Sequence, residues 1–164
     1  SSPIEIADEY VEIVKIANQY YDKVFVDLDY NLNQDIREQI IDQSDLIILN
    51  SSQNYKSLKE LKENKENNKL LKSPRTLLLI GRYDKYSKYN VKNITRYLGE
   101  KNKVLTVPYN TLYFEACNEA GVPDLFLKLK KMYDLDDRNA IFMEEIKRAS
   151  ENIIYRLQEL QTIM

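Results

Sequence analysis

Ile4, Ile6, Ala7, Tyr10, Val11, Val14 and Ala17 recur at helical spacing behind Ser2-Pro3. The spacing predicts a helix, with Ser2 as its cap and Pro3 in its first turn. Lys23-Val24-Phe25-Val26-Asp27-Leu28 follows, a short β-branched and aromatic run that reads as a buried strand. Ile36, Ile40 and Ile41 suggest a short helix, and Leu46-Ile47-Ile48-Leu49 a second buried strand introduced by Ser44-Asp45. The stretch from Ser52 to Lys72 is polar, with Leu58, Leu61, Leu70 and Leu71 as its few anchors. It predicts a helix over 54–64 and a loop around Glu66-Asn67-Asn68, and its mixed charges suit a solvated face. A third strand is expected at Thr76-Leu77-Leu78-Leu79-Ile80, ending at Gly81. A helix over 92–98 is closed by Gly99 as its C-cap. Val104-Leu105-Thr106-Val107 forms a fourth strand, stopped by Pro108. Helices are expected over 113–119, ending at Gly121, then over 123–132 and 138–161. The last sets Phe142, Ile146, Ala149, Ile153, Leu157 and Leu160 on one stripe, suited to packing on the sheet or on a partner helix.

Four buried strands alternating with helices imply an α/β fold: a mostly parallel sheet, reached by right-handed crossovers and flanked by helices on both faces. With 164 residues, no internal repeat and no obvious boundary, the chain reads as a single domain. In such sheets ligands bind at the carboxyl ends of the strands. Here those ends carry Asp27-Leu28-Asp29, Asn50-Ser51-Ser52, Gly81-Arg82 and Pro108-Tyr109-Asn110.

Composition narrows the chemistry. Apolar residues at 43% and charged residues at 30% exclude collagen, disulfide scaffolds and bulk disorder. The single Cys117 excludes an internal disulfide, and the absence of His removes His-based triads and His-ligated zinc. Cys117 lies in a helical pattern and reads as a core thiol rather than a nucleophile. A net charge of −2 carries no overall bias toward nucleic acid, although a local patch remains open. No apolar run is long enough to span a membrane, and Ser1-Ser2-Pro3 begins no charged-then-apolar leader. A cytoplasmic piece of a longer chain is the expectation.

Three constellations bear on function. Asp27 closes an apolar run, where a strand-end carboxylate could hold Mg²⁺, with Asp29 on the same side; capping a loop is the plainer role. The glycines, by contrast, are only Gly81, Gly99 and Gly121, so neither G-x-x-x-x-G-K-[ST] nor G-x-G-x-x-G occurs. These residues therefore contain no recognisable grip for a triphosphate. The segment 82–97 interleaves Arg82, Lys85, Lys88, Lys92 and Arg96 with Tyr83, Tyr86, Tyr89 and Tyr97. Rings beside cations suit an acidic partner or single-stranded nucleic acid, while tyrosines packed over the sheet edge are the structural alternative.

The order of these pieces resembles the carboxyl-terminal two-thirds of the ParA/MinD superfamily, the deviant-Walker P-loop ATPases. Tyr21-Asp22-Lys23-Val24-Phe25-Val26-Asp27 is similar to that family's strand ending in aspartate, and Gln43-Ser44-Asp45-Leu46-Ile47-Ile48-Leu49 to its next strand. Ile80-Gly81-Arg82-Tyr83-Asp84 resembles its Asn-Arg segment. Val107-Pro108-Tyr109-Asn110, with Glu115-Ala116, Gly121 and Pro123, is similar to its most specific motif. The resemblance spans roughly 5–160. It departs at Gly81, where the family usually has an adenine-contacting Asn, and at Leu28-Asp29-Tyr30-Asn31, where the family has Pro-Gly after the aspartate. These departures suggest a divergent branch such as the pilus-assembly TadZ/CpaE-like ATPases.

The resemblance implies a P-loop NTPase-like fold, with ATP and Mg²⁺ bound in the intact protein by a lysine-bearing loop upstream of Ser1. By position Asp27 would be the Mg²⁺-side carboxylate, and Arg82 with Pro108, Tyr109 and Asn110 would border the base. It further implies a nucleotide-dependent homodimer that positions septa, plasmids, chromosomes or pilus machinery, with a protein of that machinery as partner. The chain alone is expected neither to bind ATP tightly nor to hydrolyse it. The competing expectation is a non-catalytic scaffold that binds a partner through the Tyr/Lys-rich 82–97 surface.

Overall fold

A computed structural model describes residues 3–28, 33–131 and 137–163. The chain divides into two compact units, Ser1–Asp45 and Leu46–Met164. Within the first, α1 (Pro3–Tyr20) packs with α2 (Gln34–Gln43). Val11, Ile36 and Ile40 form its small core, and Leu28 leans against it.

The strand expected at 23–28 is not there. These residues are irregular, Phe25 is 81% exposed, and Val24 and Leu28 alone in the run are half-buried apolar side chains. The physical reason is pairing: an extended segment needs a neighbouring ladder for its amides and carbonyls. Both neighbouring elements in its unit are helices, and no strand is described there. An apolar run alone could not reveal that.

The second unit holds the sheet: β1 (Ile47–Ser52), β2 (Thr76–Tyr83) and β3 (Leu105–Pro108), all parallel, in the order β1-β2-β3. The α/β class is therefore as expected, with three strands rather than four among the described residues. Strands β1 and β2 are joined through α3 (Tyr55–Asn67) and a 3-10 turn at Lys69–Lys72, and β2 and β3 through α4 (Val91–Leu98). Sequential crossovers of one hand place both helices on one face of a sheet. Accordingly α3 packs against α4, and Leu58, Ile94 and Leu98 close with Leu78, Ile80 and Val104 into one core. Central β2 is covered on both faces, since Leu77, Leu78 and Ile80 are all buried. β1, at the edge of the described sheet, is only half-buried despite its apolar run.

After β3 come α5 (Thr111–Asn118), α6 (Val122–Lys131) and α7 (Asp137–Ile163). The expected stripe on α7 buries Phe142 fully and Ala149 nearly so, and the helix packs against β3. Phe142 meets Tyr113 and Phe126 at ring distances of 5.4 and 6.3 Å, tying α5, α6 and α7 together. Helix α5 buries none of its own residues completely, so Cys117 is exposed and not the expected core thiol.

The abundant asparagines have a local purpose. Asn33, Asn54, Asn90 and Asn110 are the N-caps of α2, α3, α4 and α5, each accepting an amide hydrogen of the first turn. Helix α4 ends at Gly99 in the left-handed conformation (φ 59°), as its sequence predicts.

Candidate functional site

The carboxyl ends of β2 and β3 are shaped by one irregularity. Ile80 pairs with Thr106 and Tyr83 with Pro108, so Gly81 and Arg82 together stand opposite Val107. This extra residue makes a β-bulge. Arg82 absorbs it at φ 51°, a left-handed conformation unfavourable for a residue with a Cβ. The bulge turns the exposed guanidinium toward Phe114 of α5, with Cζ 5.8 Å from the ring centroid. Tyr109 approaches the same ring at 6.3 Å. Arg82, Tyr109 and Phe114 thus form an exposed cluster of one cation and two rings, beside half-buried Pro108.

Asn110, the fourth residue expected here, is buried and already engaged. Its Oδ1 accepts from the Tyr113 amide at 2.9 Å and its Nδ2 donates to Asn139 Oδ1 at 2.7 Å. It therefore fixes α5 rather than offering a free polar group. Asp27 belongs to the first unit, exposed in irregular backbone; the strand that would have made it a strand-end carboxylate is missing. Asp29 lies outside the described residues.

The donor set does not fit a whole Mg-nucleotide. Mg²⁺ needs near-octahedral oxygen ligands, usually one or two carboxylates completed by phosphate and water. Among the described residues no three of His, Cys, Asp or Glu come together as a metal site. At the starts of α3 and α5 one first-turn amide each, that of Ser57 and that of Tyr113, is already taken by the Asn54 and Asn110 caps. What the carboxyl end does provide is a pair of exposed rings, inclined at 43° to each other, beside a positive charge.

A second feature lies on the α3/α4 face. A groove of about 430 Å³ has Tyr55, Tyr89 and Tyr97 as walls, Leu58 and Ile94 as floor, and exposed Lys88 beside it. Its loop wall, residues 84–90, is held by Gln53: its Oε1 accepts from the Asp84 amide at 2.8 Å, and its Nε2 donates to the Asp84 and Tyr89 carbonyls at 2.8 and 2.9 Å. Asn93 Nδ2 donates to the Lys88 carbonyl at 2.7 Å, and the Tyr83 hydroxyl accepts from the Val91 amide at 3.1 Å. The tyrosines of 82–97 therefore divide. Tyr83, Tyr89 and Tyr97 pack against the core, while Tyr86 is exposed.

Sequence reasoning placed Arg82, Pro108 and Tyr109 at one sheet end but missed Phe114, Gln53 and Tyr55. Phe114 sits one turn inside α5, where only the helical repeat relative to the Asn110 cap could have flagged it. Gln53 and Tyr55 are about thirty residues from the loop they serve, and no local pattern links them. On α5, burial and a hydrogen bond with the Cys117 thiol push the Tyr113 hydroxyl above its usual value of 10.0. Neutral Tyr113 is thereby favoured within the aromatic contact with α7. No protein-family model, no curated protein and no solved structure matches the chain.

Proposed function

We propose that the chain is the base-side portion of a ParA/MinD-like nucleotide-dependent positioning protein, in which Arg82 and Tyr109 flank a nucleobase beside Pro108. The observation that carries this reading is the bulge at Gly81-Arg82, which turns a strained arginine toward the ring that Tyr109 also meets, at the carboxyl end of a parallel sheet. Backbone strain in a non-glycine residue is concentrated at binding and catalytic sites. Ligand sites of parallel sheets lie at this end. ATP and Mg²⁺ enter as ligands of the intact protein. The phosphate grip is a part these residues do not supply, so the chain alone performs no hydrolysis.

Competition titrations with a fluorescent adenine nucleotide test the reading. Adenosine and Mg-ATP should compete about equally and weakly, because recognition is confined to the base. Arg82→Ala should weaken both by roughly two- to fivefold, the scale of an exposed cation–π contact. Micromolar binding that depends on the triphosphate would contradict the missing grip. Equal binding by wild type and Arg82→Ala, or none by either, would remove the base site.

A further inference from the structure

We infer that the groove between α3 and α4 docks an acidic peptide segment of a partner protein, which inserts an apolar side chain between Tyr55, Tyr89 and Tyr97 and sets carboxylates against the lysines around it. This stands apart from the nucleotide reading: the groove is built by α3, the 84–90 loop and α4, whereas Arg82 and Tyr109 lie at strand ends.

Shape and charge choose the occupant. The groove's 430 Å³ is within the range of small binding clefts, about 300–1,000 Å³, yet it is an open trough along two helices rather than a closed chamber. Its floor is the buried pair Leu58 and Ile94, and its walls are tyrosine rings, the surface that anchors an aromatic or leucine side chain. The charge lining it is Lys88, Lys62 stands over its Tyr97 wall, and the acidic residue of the loop wall, Asp84, has its backbone amide and carbonyl bonded to Gln53 at the far end of the loop. Lys62 Nζ stands 4.5 Å from the Tyr97 centroid and Lys88 Nζ 5.1 Å from that of Tyr89. Neither lysine has a carboxylate partner among the described residues, whereas Lys59 and Lys65 of the same helix are paired with Glu63 and Glu100. A cation held over a ring without a counter-ion is available to a carboxylate from outside, and the ring fixes where it stands. Carboxylates flanking an apolar anchor complement this arrangement.

Preformation supports the same conclusion. Gln53 and Asn93 hold the 84–90 loop through four hydrogen bonds of 2.7–2.9 Å, so a ligand meets a wall already ordered. Little ordering cost is then left for binding. Nucleic acid is the poorer occupant. A phosphate backbone needs a continuous basic track, and the whole chain carries a net charge of −2.

Panning a phage-displayed random peptide library on the full chain tests the proposal, followed by fluorescence polarisation and amide chemical-shift mapping with the most enriched peptide. The enriched sequences should share an aromatic or leucine anchor flanked by Asp or Glu. Shifts should centre on Tyr55, Lys88, Tyr89, Asn93 and Tyr97. Tyr55→Ser and Lys88→Glu should each weaken that peptide by about fivefold or more. Both positions are exposed, so thermal unfolding should stay near wild type. Lys128→Glu, a charge reversal on α6, should leave binding unchanged. No enrichment, a consensus without acids, shifts elsewhere, or equal loss on Lys128→Glu would each overturn the proposal. A single-stranded oligonucleotide that binds at these residues when no acidic peptide does would overturn it in favour of nucleic acid.

Discussion

Arg82 concentrates two opposing requirements in one residue. Its backbone occupies a conformation that a Cβ disfavours by about 1–2 kcal/mol, while its guanidinium makes a ring contact with Phe114. Glycine would relieve the strain and lose the cation. The bulge therefore makes a separable prediction. Arg82→Gly should be more stable to urea than Arg82→Ala by about 1 kcal/mol, because both lose the side chain and only alanine keeps the strain. Equal midpoints for the two variants would mean that the left-handed conformation carries no cost. Asn110 is the opposite case. Its sequence position at the sheet end suggests a ligand contact, yet the side chain is consumed by the cap of α5 and by Asn139. Residue type at a strand end identifies candidates; what else the side chain can reach decides among them.

At the scale of elements, α3 and α4 are joined by more than apolar packing. Lys65 is only 5% exposed and pairs with Glu100, just beyond the Gly99 cap of α4. In the sequence Lys65 belongs to a mixed-charge run that reads as solvated, and one of its lysines is instead inside. Removing one partner leaves the other charge buried alone. Lys65→Met or Glu100→Leu should therefore cost about 3–5 kcal/mol, whereas the two substitutions combined should return close to wild type. Guanidinium unfolding of the two singles and the double measures this, and additive losses would show that the pair is not coupled. The elements themselves were largely legible. Helices and strands of the second unit fall close to their predicted positions because apolar spacing and the caps are local signals. The segment 23–28 was misread because a short apolar run looks the same whether or not a ladder is present beside it.

For the whole molecule, the core of the sheet unit is drawn from Leu46–Met164 alone: Leu58, Leu78, Ile80, Ile94, Leu98 and Val104. A unit with its own core, in which each described strand has a partner within the unit, carries the means to fold independently. A fragment spanning 46–164 should unfold in one cooperative step followed by circular dichroism, with a sheet and helix spectrum. A fragment that is unfolded at low temperature would show that the sheet requires residues 1–45. The same fragment should keep the α3/α4 groove and its peptide binding, since every residue lining it lies within this span.

The amino-acid sequence by itself determined the α/β class, the parallel order of strands implied by alternating helices, the helix ends at Asn and Gly, and the placing of Arg82, Pro108 and Tyr109 at the carboxyl end of the sheet. Each follows from periodicity, cap chemistry or chain connectivity, which act over a few residues or through topology. Tertiary structure alone decided that 23–28 forms no strand, that Cys117 faces outward, that Lys65 is buried, and that Gln53 and Tyr55 complete a groove with residues of the 84–97 segment. Those outcomes depend on which distant groups meet. A ladder partner, a counter-ion or a facing ring is supplied by the packed molecule, and no local pattern of residues encodes its presence.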